Sequence, residues 1–169
     1  MPVFCMFAVY EDDCKVDITG ASISNLSDDK KQTIREQFPK ADAVAVIPKP
    51  EDFIEDVKRS IGTEIKAEKV NYFHIDKGYE TTDGEIAMDM EYMKYLMQDA
   101  SPEKVDGGIR YTFYADYAFR VLFCKDVFFE QEQEYRIVLP NETIEAGKSY
   151  PVRLSKDYEI IDLHTFFDN

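Results

Sequence analysis

Phe119 to Leu139 reads FRVLFCKDVFFEQEQEYRIVL, and the rest of the chain is organised around it. The apolar run up to Cys124 predicts a strand ending in Lys125, and Tyr135 to Leu139 predicts a second strand. Between them, Phe128-Phe129 leads to Glu130, Glu132 and Glu134 at alternate positions. On extended backbone these carboxylates share one face, where they repel and raise one another's pKa unless cations intervene. Lys125 and Arg136 are the nearest cations. On a helical turn Glu130 and Glu134 share a face instead, and Glu132 points elsewhere.

Upstream, the apolar run Val3 to Tyr10 and the alternating Lys15-Val16-Asp17-Ile18 are separated by the acidic turn Glu11-Asp12-Asp13. They predict an opening hairpin whose first strand is central and buried on both faces. Ser27 caps a short helix with Asp28 and Asp29 in its first turn, Ile34 and Phe38 on one face, and Pro39 as its stop. Ala43 to Ile47 is a strand bounded by Pro48, and Pro50 opens a helix whose stripe Phe53, Ile54, Val57 and Ile61 ends at Gly62. Val70 to Ile75 is another strand. From about Glu85 to Gln98 a helix carries Ile86, Met90, Met93 and Met97 in one stripe. That stripe is either core packing or an adaptable partner groove, because thioethers suit both. Ser101-Pro102 and Gly107-Gly108 mark a loop before the aromatic run Tyr111 to Tyr114. Turns at Pro140-Asn141-Glu142 and Gly147 set off two closing strands, Tyr150 to Leu154 and Tyr158 to Leu163. The sum is an α+β fold, a single domain over residues 1–169, with a mixed or mainly antiparallel sheet and about three helices.

Acids outnumber bases 34 to 20, for a net charge of −14 and a pI near 4.5. Such a field repels phosphate backbones and anionic membrane surfaces, so neither direct nucleic-acid binding nor membrane binding is expected. The acidic surface serves solubility or meets a basic protein partner. From Asp76 to Asp106 there are nine acids against three bases. Glu80, Asp83, Glu85, Asp89 and Glu91, with Met90, Met93 and Met97, are the partner-binding candidates. Cys5, Cys14 and Cys124 have neither CxxC nor zinc-ligand spacing and read as reduced, buried thiols of a cytoplasmic protein. The N-terminal MPVFCMFAVYEDD lacks the basic start and the apolar length of a signal peptide or membrane span.

Phe123-x-Lys125, Phe129 and Glu132-x-Glu134-Tyr135-Arg136 together resemble the C-terminal signature of a broad bacterial family of domains of unknown function, whose members carry F-x-K, an aromatic and E-x-E-aromatic-Arg. Ala43 to Ile61 followed by Val70-Asn71-Tyr72 resembles that family's preceding strand-helix-strand, and Val3 to Met6 resembles the strand before it. The family's further N-terminal segment, with a His-Tyr pair and an Asn-Asp turn, has no counterpart in this sequence. Members occur in mobile elements and near defence genes, so the resemblance implies a phage, prophage or defence setting without specifying a reaction. An inhibitor or anti-defence protein fits that setting.

The motif residues Lys125, Phe129, Glu130, Glu132, Glu134 and Arg136 admit three readings. Lys125, Glu132 and Arg136 can form a polar cluster that holds two strands in register, in a non-catalytic structural remnant of the larger family. The glutamates can instead be a solvated edge. Glu132-x-Glu134 at the head of a strand is also similar to the glutamate pair of ADP-ribosyltransferases. That likeness implies NAD, with Glu134 orienting the ribose and assisting departure of nicotinamide, and Glu132 positioning the acceptor. The enzyme pattern further needs an early-strand Arg or His and then a Ser-Thr-Ser-like strand, yet Ser22-Ile23-Ser24 precedes every strand Arg or His. His74-x-Asp76 offers two metal ligands or a satisfied strand histidine, and no metal is expected. Phosphate loops, nucleophile elbows and zinc-finger patterns do not occur. The leading expectation is a non-enzymatic acidic protein that binds a basic partner, as an inhibitor of a nucleic-acid-handling protein such as a CRISPR effector.

Overall fold

A computed structural model of the protein describes residues 1–14, 26–75, 79–80, 82–112, 115–145 and 147–168. In chain order come β1 (Val3–Phe7), α1 (Asp28–Gln37), β2 (Ala43–Val46), α2 (Pro50–Ile61), β3 (Lys66–Lys69) and β4 (Asn71–Phe73). Then follow β5 (Tyr79–Glu80), β6 (Ile86–Ala87), α3 (Met90–Met97), β7 (Ser101–Val105) and β8 (Gly108–Thr112). Two 3-10 segments, Ala115–Phe123 and Val127–Glu132, flank β9 (Cys124–Asp126). The α+β fold is completed by β10 (Glu134–Val138), β11 (Glu159–Asp162) and α4 (Leu163–Asp168).

The core is built on β10, which lies between β1 and β3 and runs antiparallel to both. Alternation of side chains sends Ile137 toward Val57, Phe53, Ile54 and Ile61 of α2, and Val138 toward Phe119, Phe123 and Tyr95. Ile137 and Val138 are fully buried, and each burial stabilises the fold by about 2 kcal/mol. The helix α2 forms because Pro50 sets the first helical φ, Glu51 and Asp52 complement the positive end of the helix dipole, and Gly62 adopts φ 74° to end it. Its buried Asp56 accepts hydrogen bonds from the Ser155 N–H (2.8 Å) and hydroxyl (2.9 Å), which ties the later chain to the helix. A separate core of Leu26, Phe166 and Phe167 joins α1, the antiparallel β2–β11 pair and α4 through Ile34, Val44, Ile161 and Leu163. Among the described residues β4 and β9 pair in parallel, and the other pairs are antiparallel.

Among the described residues β1 pairs with β10 alone, and Val3, Phe4 and Cys5 are exposed, so the strand is not buried on both faces as expected. The expected hairpin partner at 15–18 lies outside the described residues. The 119–123 run is a 3-10 segment rather than a strand. Phe119 and Phe123 meet edge to face at 6.3 Å, whereas four extended residues would separate them by about 13 Å. The expected 85–98 helix begins only at Met90, because Asp89 caps it by accepting from the Glu91 and Tyr92 N–H groups, and Ile86–Ala87 is a strand. The methionine stripe is thereby broken. Met90 is 58% exposed, and it is Tyr92 and Tyr95 that dock the helix on Phe73, at 5.4 and 5.9 Å between ring centroids.

Ser101-Pro102 and Gly107-Gly108, read as a loop, belong to the β7–β8 hairpin, whose turn uses φ 95° at Gly107. Residues 150–154 form no strand, and the last expected strand divides into β11 and α4, so four α-helices are described where about three were expected. α1 ends at Gln37 with Phe38 half-exposed beyond it, so Ile34 packs into the core without Phe38. No disulfide links the cysteines, and Cys5 is exposed where burial was expected, whereas Cys124 is buried. No helix among the described residues is long and apolar enough to cross a membrane.

Candidate functional site

The 3-10 segment Val127–Glu132 starts where Asp126 folds back on it, one carboxylate oxygen accepting from the Phe128 N–H (3.0 Å) and the other from the Ile75 N–H (3.0 Å). It ends at Gln133, which holds φ 42° and ψ 47°, a left-handed conformation that costs a residue with a side chain about 1 kcal/mol or more. That reversal turns Glu132 and Glu134 toward the same cation. The Lys125 ammonium binds the Glu132 carboxylate and, at 2.7 Å, the Glu134 carboxylate. The second Glu134 oxygen accepts from Arg136 Nε at 2.6 Å, and Arg136 also donates to the Leu122 carbonyl. Lys125 further lies 4.8 Å from the centroid of the Phe129 ring.

The four charged side chains are between 15% and 28% exposed, so solvent screens them little. Burial on its own would raise the Glu134 carboxyl, but the hydrogen bonds from Arg136 and Lys125 outweigh it and hold the group at about 2. Burial likewise disfavours the Lys125 ammonium, and the bonds to Glu132 and Glu134 overcome it and push its pKa up. Chemically, Glu134 is a permanent anion near neutral pH with both oxygens engaged. It can accept hydrogen bonds and cannot serve as a proton donor.

The sequence motif is therefore brought together in most of its parts. Lys125, Phe129, Glu132, Glu134 and Arg136 meet, while Glu130 stays exposed at the surface of the turn. Neither the all-strand nor the all-helix reading of the three glutamates describes this, since Glu132 and Glu134 converge across a single left-handed residue.

Beside the cluster lies a cleft of about 350 Å³ lined by Tyr10, Lys30, Val70, Tyr72, Gln133 and Glu134, with Glu130 and Gln131 contributed by the turn. Two of its lining residues, Lys30 and Gln133, belong to a closed polar triad with Asp13. Lys30 pairs with Asp13 at 3.2 Å and donates to the Gln133 side-chain oxygen, and the Gln133 amide donates to Asp13 at 3.0 Å. Asp13 is buried and also accepts from the Tyr10 N–H at 2.9 Å. The Tyr72 hydroxyl accepts from the Glu134 N–H at 2.9 Å, fixing the tyrosine against the head of β10. The sequence places Asp13 in a turn and Tyr72 on a strand without assigning either to a site, and it marks neither Lys30 nor Gln133 as a site residue. Gln133 carries no local signal, because left-handed positions are ordinarily marked by Gly or Asn.

Of the other expected residues, Glu80, Asp83, Glu85 and Glu91 are exposed, together with Met88 and Met90. Asp89 is half-buried as the cap of α3 and accepts from the His74 N–H at 3.0 Å, which holds its carboxyl below the ordinary range. Met93 and Met97 are half-buried. Asp76, the second candidate ligand beside His74, lies outside the described residues. Among the described residues no cluster of three or more His, Cys, Asp and Glu side chains is arranged to hold a metal ion. Comparison with known proteins finds no matching family model, no matching curated protein and no matching solved structure.

Proposed function

We propose that the protein is an acidic, cytoplasmic, non-enzymatic binding protein that presents the 79–91 segment to a basic protein partner. The observation that carries this reading is the set of exposed carboxylates and thioethers in that segment. Glu80, Asp83, Glu85 and Glu91 are exposed and flank in sequence Met88 (63% exposed) and Met90 (58% exposed). From Tyr79 to Asp99 the sequence holds six acids and one base, and that base, Lys94, is engaged by Glu91 at 2.5 Å. Exposed thioethers flanked in sequence by exposed carboxylates suit a surface that is apolar at its contact points and basic around them. The family resemblance supports a phage, mobile-element or defence setting. There the partner is a nucleic-acid-handling protein, such as a CRISPR effector, whose basic groove the carboxylates would occupy.

The motif itself takes a structural role in this reading, because Lys125, Glu132, Glu134 and Arg136 satisfy one another. The test is a pull-down from host lysate with the wild-type protein and with a Glu80→Lys/Asp83→Lys/Glu85→Lys variant, each at low and high salt. A basic protein captured at low salt by the wild type, and lost both at high salt and with the variant, is the expected result. Equal capture by both proteins would refute the assignment of the surface.

A further inference from the structure

The cleft beside Glu134 and the turn that contributes Glu130 and Gln131 to it carry a more specific inference, one that rests on the partner-binding reading. Phe128 is 82% exposed, and its ring meets Phe129 edge to face at 5.1 Å. In a 3-10 helix the side chains at i and i+3 eclipse, so Phe128 stands in line with Gln131, a wall residue of the cleft. A large exposed apolar side chain thus projects on the turn that lines a polar recess, and such aromatic side chains can serve as anchors when a partner's pocket buries them.

The charges lining that recess are mostly spent. Lys30 is neutralised by Asp13, and Glu134 by Lys125 and Arg136. The Glu130 carboxylate is exposed and makes no ion pair among the described residues. The cleft also adjoins the acidic segment: Tyr72 lines it, and two residues along the chain the His74 N–H binds Asp89, a step of about 7 Å on extended backbone. An ammonium already rests on a lining aromatic, since Lys69 Nζ lies 4.1 Å from the centroid of the Tyr10 ring.

We propose that this cleft receives the guanidinium or ammonium group of a basic, apolar-flanked segment of the partner protein, with Glu130 as its counter-ion and Phe128 as the apolar anchor beside it. Tyr10 and Tyr72 supply aromatic walls, and Lys69 opposes the incoming charge.

Titration of the labelled protein with N-acetyl-argininamide, followed by amide NMR, tests this. Its neutral urea isostere, N-acetyl-citrullinamide, is the control. Saturable shifts at Tyr72, Gln131 and Gln133 are expected for the guanidinium and not for the isostere. Glu130→Gln weakens that binding about fivefold, and Lys69→Ala strengthens it about twofold to threefold. An acetylated Leu-Arg-Leu amide binds more tightly than the single residue, and Phe128→Ala removes the gain. Glu130, Lys69 and Phe128 are exposed, so these variants leave the fold intact. Equal shifts from the isostere, no saturable shift, or tighter binding in Glu130→Gln would overturn the proposal. Capture of a partner that depends on the 79–91 carboxylates and is indifferent to Glu130→Gln and Phe128→Ala would overturn this site while leaving the acidic-segment reading in place.

Discussion

Lys125 is the cation on which two carboxylates converge, and its removal would leave Glu132 and Glu134 facing each other in a largely desolvated site. Lys125→Ala is therefore expected to cost about 2–4 kcal/mol in urea unfolding, while Glu130→Ala on the same turn stays within about 0.5 kcal/mol. Glu134 links the site to pH. Its carboxyl lies at about 2 against an ordinary 4.5, so the folded state binds its proton more weakly than the unfolded one. The resulting stability, on the order of 3 kcal/mol, is fully present above about pH 4.5 and is lost as pH falls toward 2. Other carboxyls titrate in the same range, so the contribution is read as the difference between wild type and Glu134→Gln across an acid series. A constant difference would contradict it. At Gln133 the backbone decides: Gln133→Ala and Gln133→Gly both lose the bonds to Asp13 and Lys30, yet glycine tolerates φ 42°, so the glycine variant should be the more stable by about 1 kcal/mol. Because both oxygens of Glu134 are engaged within the protein, millimolar NAD is expected to leave the melting temperature unchanged, and a clear rise would revive the ADP-ribosyltransferase reading.

Elements differ in how they are held, and mutation separates them. Ile137 of β10 packs against α2 at full burial, and Ile137→Ala should cost about 3 kcal/mol in chemical denaturation. Met90 lies at the exposed start of α3, and Met90→Ala should change stability by no more than about 0.5 kcal/mol. The contrast reflects what the sequence could convey. α2 was legible because Pro50, the 53-54-57-61 stripe and Gly62 agree in a single stretch. For α3 two local signals conflict, an apolar period that extends back to Ile86 and a capping aspartate at 89, and the cap prevails. The 119–123 run is not decided by its sequence, because five mostly apolar residues carry no period that separates a buried strand from a 3-10 segment; contact with Val138 across the core decides it. β1 reads by composition as a strand buried on both faces, yet among the described strands it is β10, with Ile137 and Val138 buried on opposite faces, that lies between two neighbours, while Val3 and Phe4 of β1 are exposed.

At the scale of the whole molecule, the ion cluster was foreseeable because Lys125 to Arg136 spans twelve residues joined by one turn. The cleft was not, because Asp13 and Lys30 reach Gln133 from more than a hundred residues away, and no local pattern records such pairings. Net charge, by contrast, is read directly from the sequence, and −14 sets how the molecule meets others. An acidic surface that recognises a basic partner through ion pairs loses affinity as salt screens it, and reversing its charges turns attraction into repulsion. The most direct test is the dissociation constant of the captured partner over a salt series, for the wild-type protein and for Glu80→Lys/Asp83→Lys/Glu85→Lys. Affinity that falls steadily with salt, and at low salt is at least about tenfold weaker for the variant, is the predicted result. Affinity that responds neither to salt nor to the reversal would contradict the account.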